Sequence, residues 1–343
     1  MNTSLHTTSQ VLARHDNLFA QQHLVVAGQL ADNYPLSLLE QVESLQLCCT
    51  HYGHYRYYQA NQHRRLTSQF SATPVINPDS NALLLFMPKA KQEAAYLFAQ
   101  LLPQLQIGAS IFVVGENRGG VKSCEKLLAE FGVKMNKIDS ARRCGLYHGE
   151  LTQAAPPFVA EQWQSEFTIP ADDKSLSVKS MPGVFNHGKL DYGSQLLLEQ
   201  LPPMRGSVLD FGCGAGVIGA SLALRYEIDI TLLDVSAFAV ASSRATLAAN
   251  SLDGTVLASD GLSEVGQRFD FIVTNPPFHA GIDTQYETTE TFLIQAKQHL
   301  NANGELWLVA NSFLQYEAII KQHFSRCESK LDNKKFKILR CCI

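Results

Sequence analysis

Two segments of the chain carry residues that could transfer a small group from a cofactor to an amine. In the first, Val208–Gly219, the sequence Gly-Cys-Gly-Ala-Gly follows an aspartate closely, and such a glycine-rich turn favours a nucleotide-like cofactor. The second, Asn275-Pro276-Pro277-Phe278, is a polar turn made rigid by two prolines and ending on an aromatic side chain. An amide next to an aromatic ring favours a flat substrate that presents an amino group.

The charge beside the glycine-rich turn indicates which cofactor the turn would bind. Gly212, Gly214 and Gly216 allow the backbone to approach a ligand closely, and the helix that follows them offers free amides. Asp210 would repel the pyrophosphate of a dinucleotide but attract the sulfonium and ammonium groups of S-adenosyl-L-methionine. We therefore expect S-adenosyl-L-methionine rather than NAD at this turn.

Two further aspartates follow the next two predicted strands. Asp234 ends the first of these strands, where a carboxylate can accept hydrogen bonds from both ribose hydroxyls. Asp260 comes after the next strand and could contact the adenine amino group, or serve only as a loop or capping residue. Asp191 and Ser194 lie earlier in the chain and could contact the methionine end of the cofactor.

The second segment predicts how an amine would be held for methylation. The side-chain oxygen of Asn275 and the backbone carbonyl of Pro276 can each accept one N–H, and Pro277 helps to fix the direction of that carbonyl. Phe278 could stack on a base. Methyl transfer would then depend mainly on positioning and electrostatics. Taken alone, the segment could also be an ordinary turn.

This second segment does not identify the acceptor by itself. Adenine N6, cytosine N4 and the amide of a protein glutamine all present a planar NH₂ group, as guanine N2 does. A non-catalytic alternative is an RNA-binding ribosome assembly factor with a vestigial cofactor pocket. The joint presence of Asp210, Gly214, Asp234 and Asn275 argues against it, because a vestigial site has no physical reason to keep them together.

The second half of the chain alternates apolar strands with helices, which predicts an α/β fold with a doubly wound, mostly parallel sheet. The predicted strands are Ser207–Phe211, Asp229–Asp234, Thr255–Ala258, Phe269–Thr274, Glu305–Ala310 and Lys335–Arg340. The predicted helices are Gly193–Leu201, Ala215–Arg225, Ala237–Asn250 and a stretch around Glu290–Leu300. Both chemical segments follow strands, so both should lie at the carboxyl edge of the sheet.

The first half repeats part of this plan, which we interpret as an internal duplication; the alternative is two α/β domains that resemble each other by chance. The apolar stretch Leu83–Lys89 runs into a proline turn, and helix Gln92–Leu102 and strand Ser110–Val114 follow. Met87-Pro88-Lys89 replaces the Asn-Pro-Pro-Phe segment, and Leu24–Gly28 lacks the further glycines. We therefore expect residues 1–165 to be a degenerate domain for substrate binding or scaffolding, and residues 166–343 to be catalytic. Ala154–Ser180 is predicted to be a linker.

Composition excludes several classes of protein. The 343 residues include 45% hydrophobic and 17% charged side chains, enough for ordinary cores. We find no long apolar run, no signal peptide, and no metal-binding spacing among the eight cysteines, so we expect a cytoplasmic protein with reduced thiols and no metal. The net charge of −4 means that contacts with a nucleic acid would need local basic patches. Candidates are Arg64-Arg65, Arg118 with Lys122, and Arg142-Arg143.

The sequence resembles the bacterial small-subunit ribosomal RNA guanine-N2 methyltransferases of the C type over nearly its whole length. The resemblance is carried by the segments Pro182–Phe185, Leu190–Leu198, Val208–Gly216, Ser242–Asn250, Asn275–His279, Phe112–Arg118 and Asp139–Tyr147. It implies two tandem Rossmann-like class I methyltransferase domains, of which the first does not bind cofactor. It also implies a cytoplasmic monomer that methylates N2 of guanosine 1207 of 16S rRNA in the assembled small subunit. The chain ends on Cys341-Cys342-Ile343, where a short basic tail would be expected.

Overall fold

The computed structural model describes residues 5–185, 188–276, 291–312, 314 and 316–343. It divides the chain into two compact units, Met1–Trp163 and Gln164–Ile343. Each unit contains a seven-stranded sheet in which five strands are parallel, the sixth in spatial order pairs antiparallel with the fifth, and the seventh pairs antiparallel with the sixth. The doubly wound, mostly parallel architecture predicted from the sequence is confirmed in both units.

The sheet of the first unit has at its centre short apolar runs that are buried on both faces, as a parallel sheet covered by helices requires. Its strands are β1 (His23–Gly28), β2 (Ser44–Cys49), β3 (Leu66–Phe70), β4 (Ala82–Phe86), β5 (Ser110–Glu116), β6 (Asn136–Ala141) and β7 (Cys144–Glu150). They lie in the order β3-β2-β1-β4-β5-β7-β6. The α-helices are α1 (Thr7–Leu12), α2 (Tyr34–Ser37), α3 (Tyr52–Ala60), α4 (Lys91–Leu101) and α5 (Cys124–Ala129).

The second unit begins with a β-hairpin, β8 (Ser165–Ala171) and β9 (Lys174–Ser180). Its sheet contains β10 (Gly206–Phe211), β11 (Ile228–Asp234), β12 (Thr255–Ala258), β13 (Phe269–Thr274), β14 (Leu300–Asn311), β15 (Arg326–Asp332) and β16 (Phe336–Cys342). Its helices are α6 (Tyr192–Gln200), α7 (Val217–Arg225), α8 (Ala237–Ala249), α9, described over residues 291–298, and α10 (Tyr316–His323). The strand order is β12-β11-β10-β13-β14-β16-β15.

The two sheets therefore have one topology. β1 of the first unit occupies the place of β10, and β4 occupies the place of β13, because each pair has the same neighbours in its own sheet. Met87 follows β4 where Asn275 follows β13. Gly28, at the end of β1, is followed by Gln29 and Leu30 rather than by further glycines. The duplication inferred from the sequence is thus present in the fold.

The prediction that Ala154–Ser180 is a linker is wrong for its second half, because residues 165–180 form the β8–β9 hairpin. Alternate residues of the hairpin are buried, among them Ile169, Leu176 and Val178. The hairpin also binds α8, since the backbone N–H groups of residues 177, 179 and 181 donate to the side chains of Asn250, Thr246 and Ser242. The donors are two residues apart along the strand, which spans about 6.6 Å, and the acceptors are four residues apart along the helix, which spans about 6 Å. The two spacings match, so each donor lies opposite an acceptor.

Candidate active site

The register of the second sheet brings the two chemical segments together. Phe211 pairs with Leu233 on one side and with Thr274 on the other. Gly212, Asp234 and Asn275 therefore all lie at the carboxyl edge of the sheet, at or directly beyond paired positions. The hydroxyl of Thr274 also donates to the carbonyl of Phe211 over 2.8 Å, which ties the end of β13 to the start of the glycine-rich turn.

The turn presents backbone to the space above the sheet edge. Gly212, Gly214 and Gly216 have φ values of 70°, 56° and 78°, in the left-handed region that favours glycine. A Cβ at Gly212 would meet no atom within 4 Å, and one at Gly214 would meet only Val184, at 3.8 Å. At Gly216, by contrast, a Cβ would lie 3.0 Å from Leu232. The first two glycines thus leave room for a ligand, whereas the third allows α7 to pack closely on the sheet.

Asp210 lies beneath the turn. Its side chain is buried, and Oδ2 accepts a 2.8 Å hydrogen bond from the backbone N–H of Gly219 in α7. Burial raises the pKa of this carboxyl to about 7, against the lowering effect of the Gly219 N–H and with a smaller raising effect from the nearby Asp234. Oδ1 is buried and has no hydrogen-bond partner in the described part of the chain. Asp210 thus anchors α7, and its direct contact with a cofactor stays a prediction.

Asp234 binds the turn directly. Its Oδ2 accepts from the backbone N–H of Gly214 and its Oδ1 from that of Ser236, each over 2.9 Å. Asp234 pairs with Ala258, so Asp260 follows at the neighbouring strand end, where it is exposed. The structure therefore places both predicted residues at the same edge as the glycine-rich turn.

Asn275 is held by two residues from the start of α6. Its Nδ2 donates to Oδ2 of Asp191 over 2.7 Å and to the hydroxyl oxygen of Ser194 over 2.9 Å. A carboxylate can only accept, so the amide NH₂ must face Asp191 and the carbonyl oxygen must point elsewhere. Among the described residues, Oδ1 of Asn275 has no hydrogen-bond partner. The site therefore fixes the orientation of the amide and leaves an acceptor for a ligand.

Asp191 has a second task, because it caps α6. Its Oδ2 accepts from the backbone N–H of Ser194 over 2.9 Å and from the Ser194 hydroxyl over 3.2 Å. Sequence reasoning expected Asp191 and Ser194 at the methionine end of the cofactor and missed their bond to Asn275. The Asp-x-x-Ser spacing indicates a helix cap, but it carries no signal for a partner 84 residues away.

The remaining residues of the predicted site are only partly described. Pro276 is half-buried and directly follows Asn275. Pro277 and Phe278 lie outside the described residues, so their predicted roles stay predictions.

In the described part of the chain, no helix is long and apolar enough to cross a membrane. Within the same residues, no group of three His, Cys, Asp or Glu side chains is arranged to hold a metal.

The residues at this edge fit S-adenosyl-L-methionine. Gly212 and Gly214 leave space that a Cβ would enter, Asp234 offers acceptors for hydroxyl groups, and the carboxylates of Asp234 and Asp260 suit a ligand with positive charge and amino groups. A dinucleotide site would instead need groups that neutralise a pyrophosphate, whereas the charged side chains described above are carboxylates.

Comparison with known proteins agrees with this geometry. The family "Methyltransferase small domain" matches residues 175–340, and "Methyltransferase small domain N-terminal" matches residues 9–167. Ribosomal RNA small subunit methyltransferase C of Aeromonas hydrophila is 47% identical over 339 residues, covering 98% of each chain. The protein of the same name from Vibrio cholerae is 43% identical over 331 residues, covering 96% of each.

A solved structure has the same fold. It is the T. thermophilus 16S rRNA N2 G1207 methyltransferase in complex with AdoMet and guanosine. It aligns with a TM-score of 0.81 at 24% identity, covering 98% of the present chain and 92% of the other.

Proposed function

Because the chain belongs to the family of ribosomal RNA small subunit methyltransferase C proteins, we propose that it transfers a methyl group from S-adenosyl-L-methionine to N2 of a guanosine in 16S rRNA. By analogy with the T. thermophilus protein of the same fold, the proposed target is G1207. We also propose that the chain acts as a cytoplasmic monomer on the small ribosomal subunit.

One observation carries the proposal: the Asn275 amide is oriented by Asp191 and Ser194 at the edge where the glycine-rich turn begins. An exocyclic amine needs an acceptor for each N–H, so that its lone pair is directed out of the hydrogen-bonding plane. Oδ1 of Asn275 and the carbonyl of Pro276 supply two such acceptors. The hydrogen bond from Nδ2 to a carboxylate polarises the amide and makes Oδ1 a better acceptor.

The cofactor would be held by the turn and by the two strand ends beside it. Gly212 and Gly214 would allow backbone contact, Asp234 would accept from the ribose hydroxyls, and Asp260 would accept from the adenine amine. When bound, S-adenosyl-L-methionine supplies a methyl group on a cationic sulfur, whose C–S bond breaks as the C–N bond forms. The chain's own part is to orient the amine, while the substrate nitrogen gives up one proton to water.

The proposal is tested by incubating the protein with tritium-labelled S-adenosyl-L-methionine and small ribosomal subunits that lack the modification, followed by nucleoside analysis. We expect label in N2-methylguanosine. Duplex DNA and a release factor serve as parallel acceptors, because their adenine, cytosine and glutamine amines present the same planar NH₂. Label only in one of these would overturn the ribosomal assignment, and the absence of label in every acceptor would favour a non-catalytic assembly factor.

A further inference from the structure

Six cationic side chains are exposed at one edge of the sheet in the first unit. They come from three separate segments and are Lys89, Lys91, Arg118, Lys122, Arg142 and Arg143. The first 165 residues contain 13 Lys and Arg against 12 Asp and Glu, so this unit is nearly neutral overall. The six cations at this edge therefore reflect an uneven distribution of charge over the unit and not an excess of Lys and Arg.

The strand register places these segments side by side. Lys89 and Lys91 follow the end of β4, and the N–H of Met87 donates to the carbonyl of Val114 in β5. Arg118 follows the end of β5, and Glu116 pairs with Cys144 at the start of β7. Arg142 and Arg143 form the turn between β6 and β7. The edge is the one at which the five parallel strands of this unit have their carboxyl ends.

None of the six side chains forms an ion pair or a hydrogen bond within the described residues. The acidic side chains near this edge do not neutralise these cations, because they have other partners or are buried. Glu116 lies 3.9 Å from His6, Asp139 binds Arg14 and His15, and burial raises the pKa of Glu93 to about 7. Intramolecular ion pairs therefore do not account for the cluster, and its positive field is directed to solvent.

The turn that carries two of the cations is poorly suited to arginine. Arg142 and Arg143 have φ values of 50° and 63°, and a two-residue hairpin turn with two positive φ values favours Asn-Gly. Nearby, the N–H of Asn117 donates to the carbonyl of Arg143 over 2.8 Å, which holds the turn against β5. The local conformation thus gives no reason for two arginines at this tip.

We propose that this edge, which we call the cationic edge, binds the phosphate backbone of the substrate RNA. The inference rests on the proposed function, since an rRNA substrate is the polyanion that function supplies. Long flexible cations spread over three segments suit phosphates in a row and carry no base specificity. The cationic edge would thus add affinity and orientation, while recognition of the target amine would remain at Asn275.

The test compares three double variants of the full-length protein. Arg142→Asn with Arg143→Gly removes two charges and introduces the residues that the turn favours, so its melting temperature should equal or exceed that of the wild type. Arg118→Gln with Lys122→Gln removes two charges from the adjoining segment. The control, Lys134→Gln with Lys137→Gln, removes two exposed cations that lie just before and near the start of β6, at the opposite edge of the sheet.

Binding to small subunits lacking the modification is measured without cofactor at several KCl concentrations. We expect each cationic-edge variant to bind about tenfold more weakly and to lower the salt slope of log K by about one to two, whereas the control binds like the wild type. Cationic-edge variants that match the control, or a wild type that does not bind, would overturn the inference. Edge-dependent binding by a wild-type protein that transfers no label would contradict the proposed function alone.

Discussion

Asn275 donates from Nδ2 to Oδ2 of Asp191 over 2.7 Å, and the two residues are 84 positions apart in the chain. The same Oδ2 accepts from the backbone N–H of Ser194 over 2.9 Å. One carboxylate oxygen therefore fixes both the first turn of α6 and the amide that we propose holds the substrate. Substitutions at Asp191 and Asn275 should therefore distinguish the orientation of the Asn275 amide from the stability of α6.

Replacing Asn275 by alanine should lower kcat by at least about 10²-fold, the scale for removing one well-placed polar contact to the reacting group. Cofactor affinity should be unchanged, because the turn at Gly212–Gly216 is untouched. Single-turnover methyl transfer and isothermal titration with cofactor measure the two effects. Asn301→Ala is a matched control, since it removes a 2.8 Å bond from an asparagine to Asp270 at the other end of the strands. Equal losses in both variants would remove Asn275 from the mechanism.

Replacing Asp191 by serine should lower kcat by about 10- to 100-fold, as expected for losing a hydrogen bond to a charged group. Serine is a good helix N-cap, so it can still accept from the Ser194 N–H, but it is too short to reach Nδ2 of Asn275. The melting temperature should therefore stay near that of the wild type. Asp191→Asn, which retains the length and one acceptor, should recover part of the rate. A lower melting temperature with full kcat would mean that Asp191 serves only the helix.

The parallel strands of the second unit could be predicted from the sequence because each is a short apolar run bounded by turn residues. Thus β10, β11 and β13, which carry Asp210, Asp234 and Asn275 at or near their carboxyl ends, were located to within one or two residues. The chemical segments themselves were found because glycine and proline restrict the backbone in recognisable ways. Position at the carboxyl edge then followed from the parallel topology alone.

Two features could not be found in this way. The outer strands β6 and β15 are mostly exposed, so they lack the alternation or apolar run that indicates a strand. The bond between Asp191 and Asn275 depends on how α6 packs against the sheet, which no local pattern records. The hairpin of β8 and β9, however, does alternate in burial, whereas Pro156-Pro157 and the polar residues of the same stretch indicate a linker.

Replacing Asp234 by asparagine should weaken cofactor binding by about 10- to 100-fold with little effect on the rate at saturating cofactor. The carboxylate accepts from Gly214 and Ser236, and asparagine offers only one acceptor oxygen in its place. Titration calorimetry with cofactor measures the affinity. The control is Asp229→Asn, an exposed residue near the start of the same strand that changes the net charge by the same amount. Weaker binding in both variants would indicate a general charge effect.

The pH dependence of stability should report the buried Asp210. Its pKa is raised from 3.8 to about 7, so between these values the folded chain holds a proton that the unfolded chain has lost. The contribution of Asp210 to the free energy of unfolding should therefore fall as pH rises from about 4 to about 7, by on the order of 4 kcal/mol. Asp210→Asn cannot ionise, so its stability relative to the wild type should increase over the same range. Urea unfolding at several pH values measures this difference, and a flat difference would contradict the buried proton.

Asp270 should affect the pH dependence of stability in the opposite direction to Asp210. The backbone N–H of Ser207 and the amide of Asn301 hold the pKa of this carboxyl below its usual value. The ionised form therefore stabilises the fold above the unfolded pKa, and that contribution is lost as pH falls through the folded value. Asp270→Asn should be less stable than the wild type at neutral pH and approach it in acid. The stabilities of Asp210→Asn and Asp270→Asn relative to the wild type should therefore change with pH in opposite directions. A change in the same direction would contradict the finding that Asp210 is buried whereas Asp270 is not.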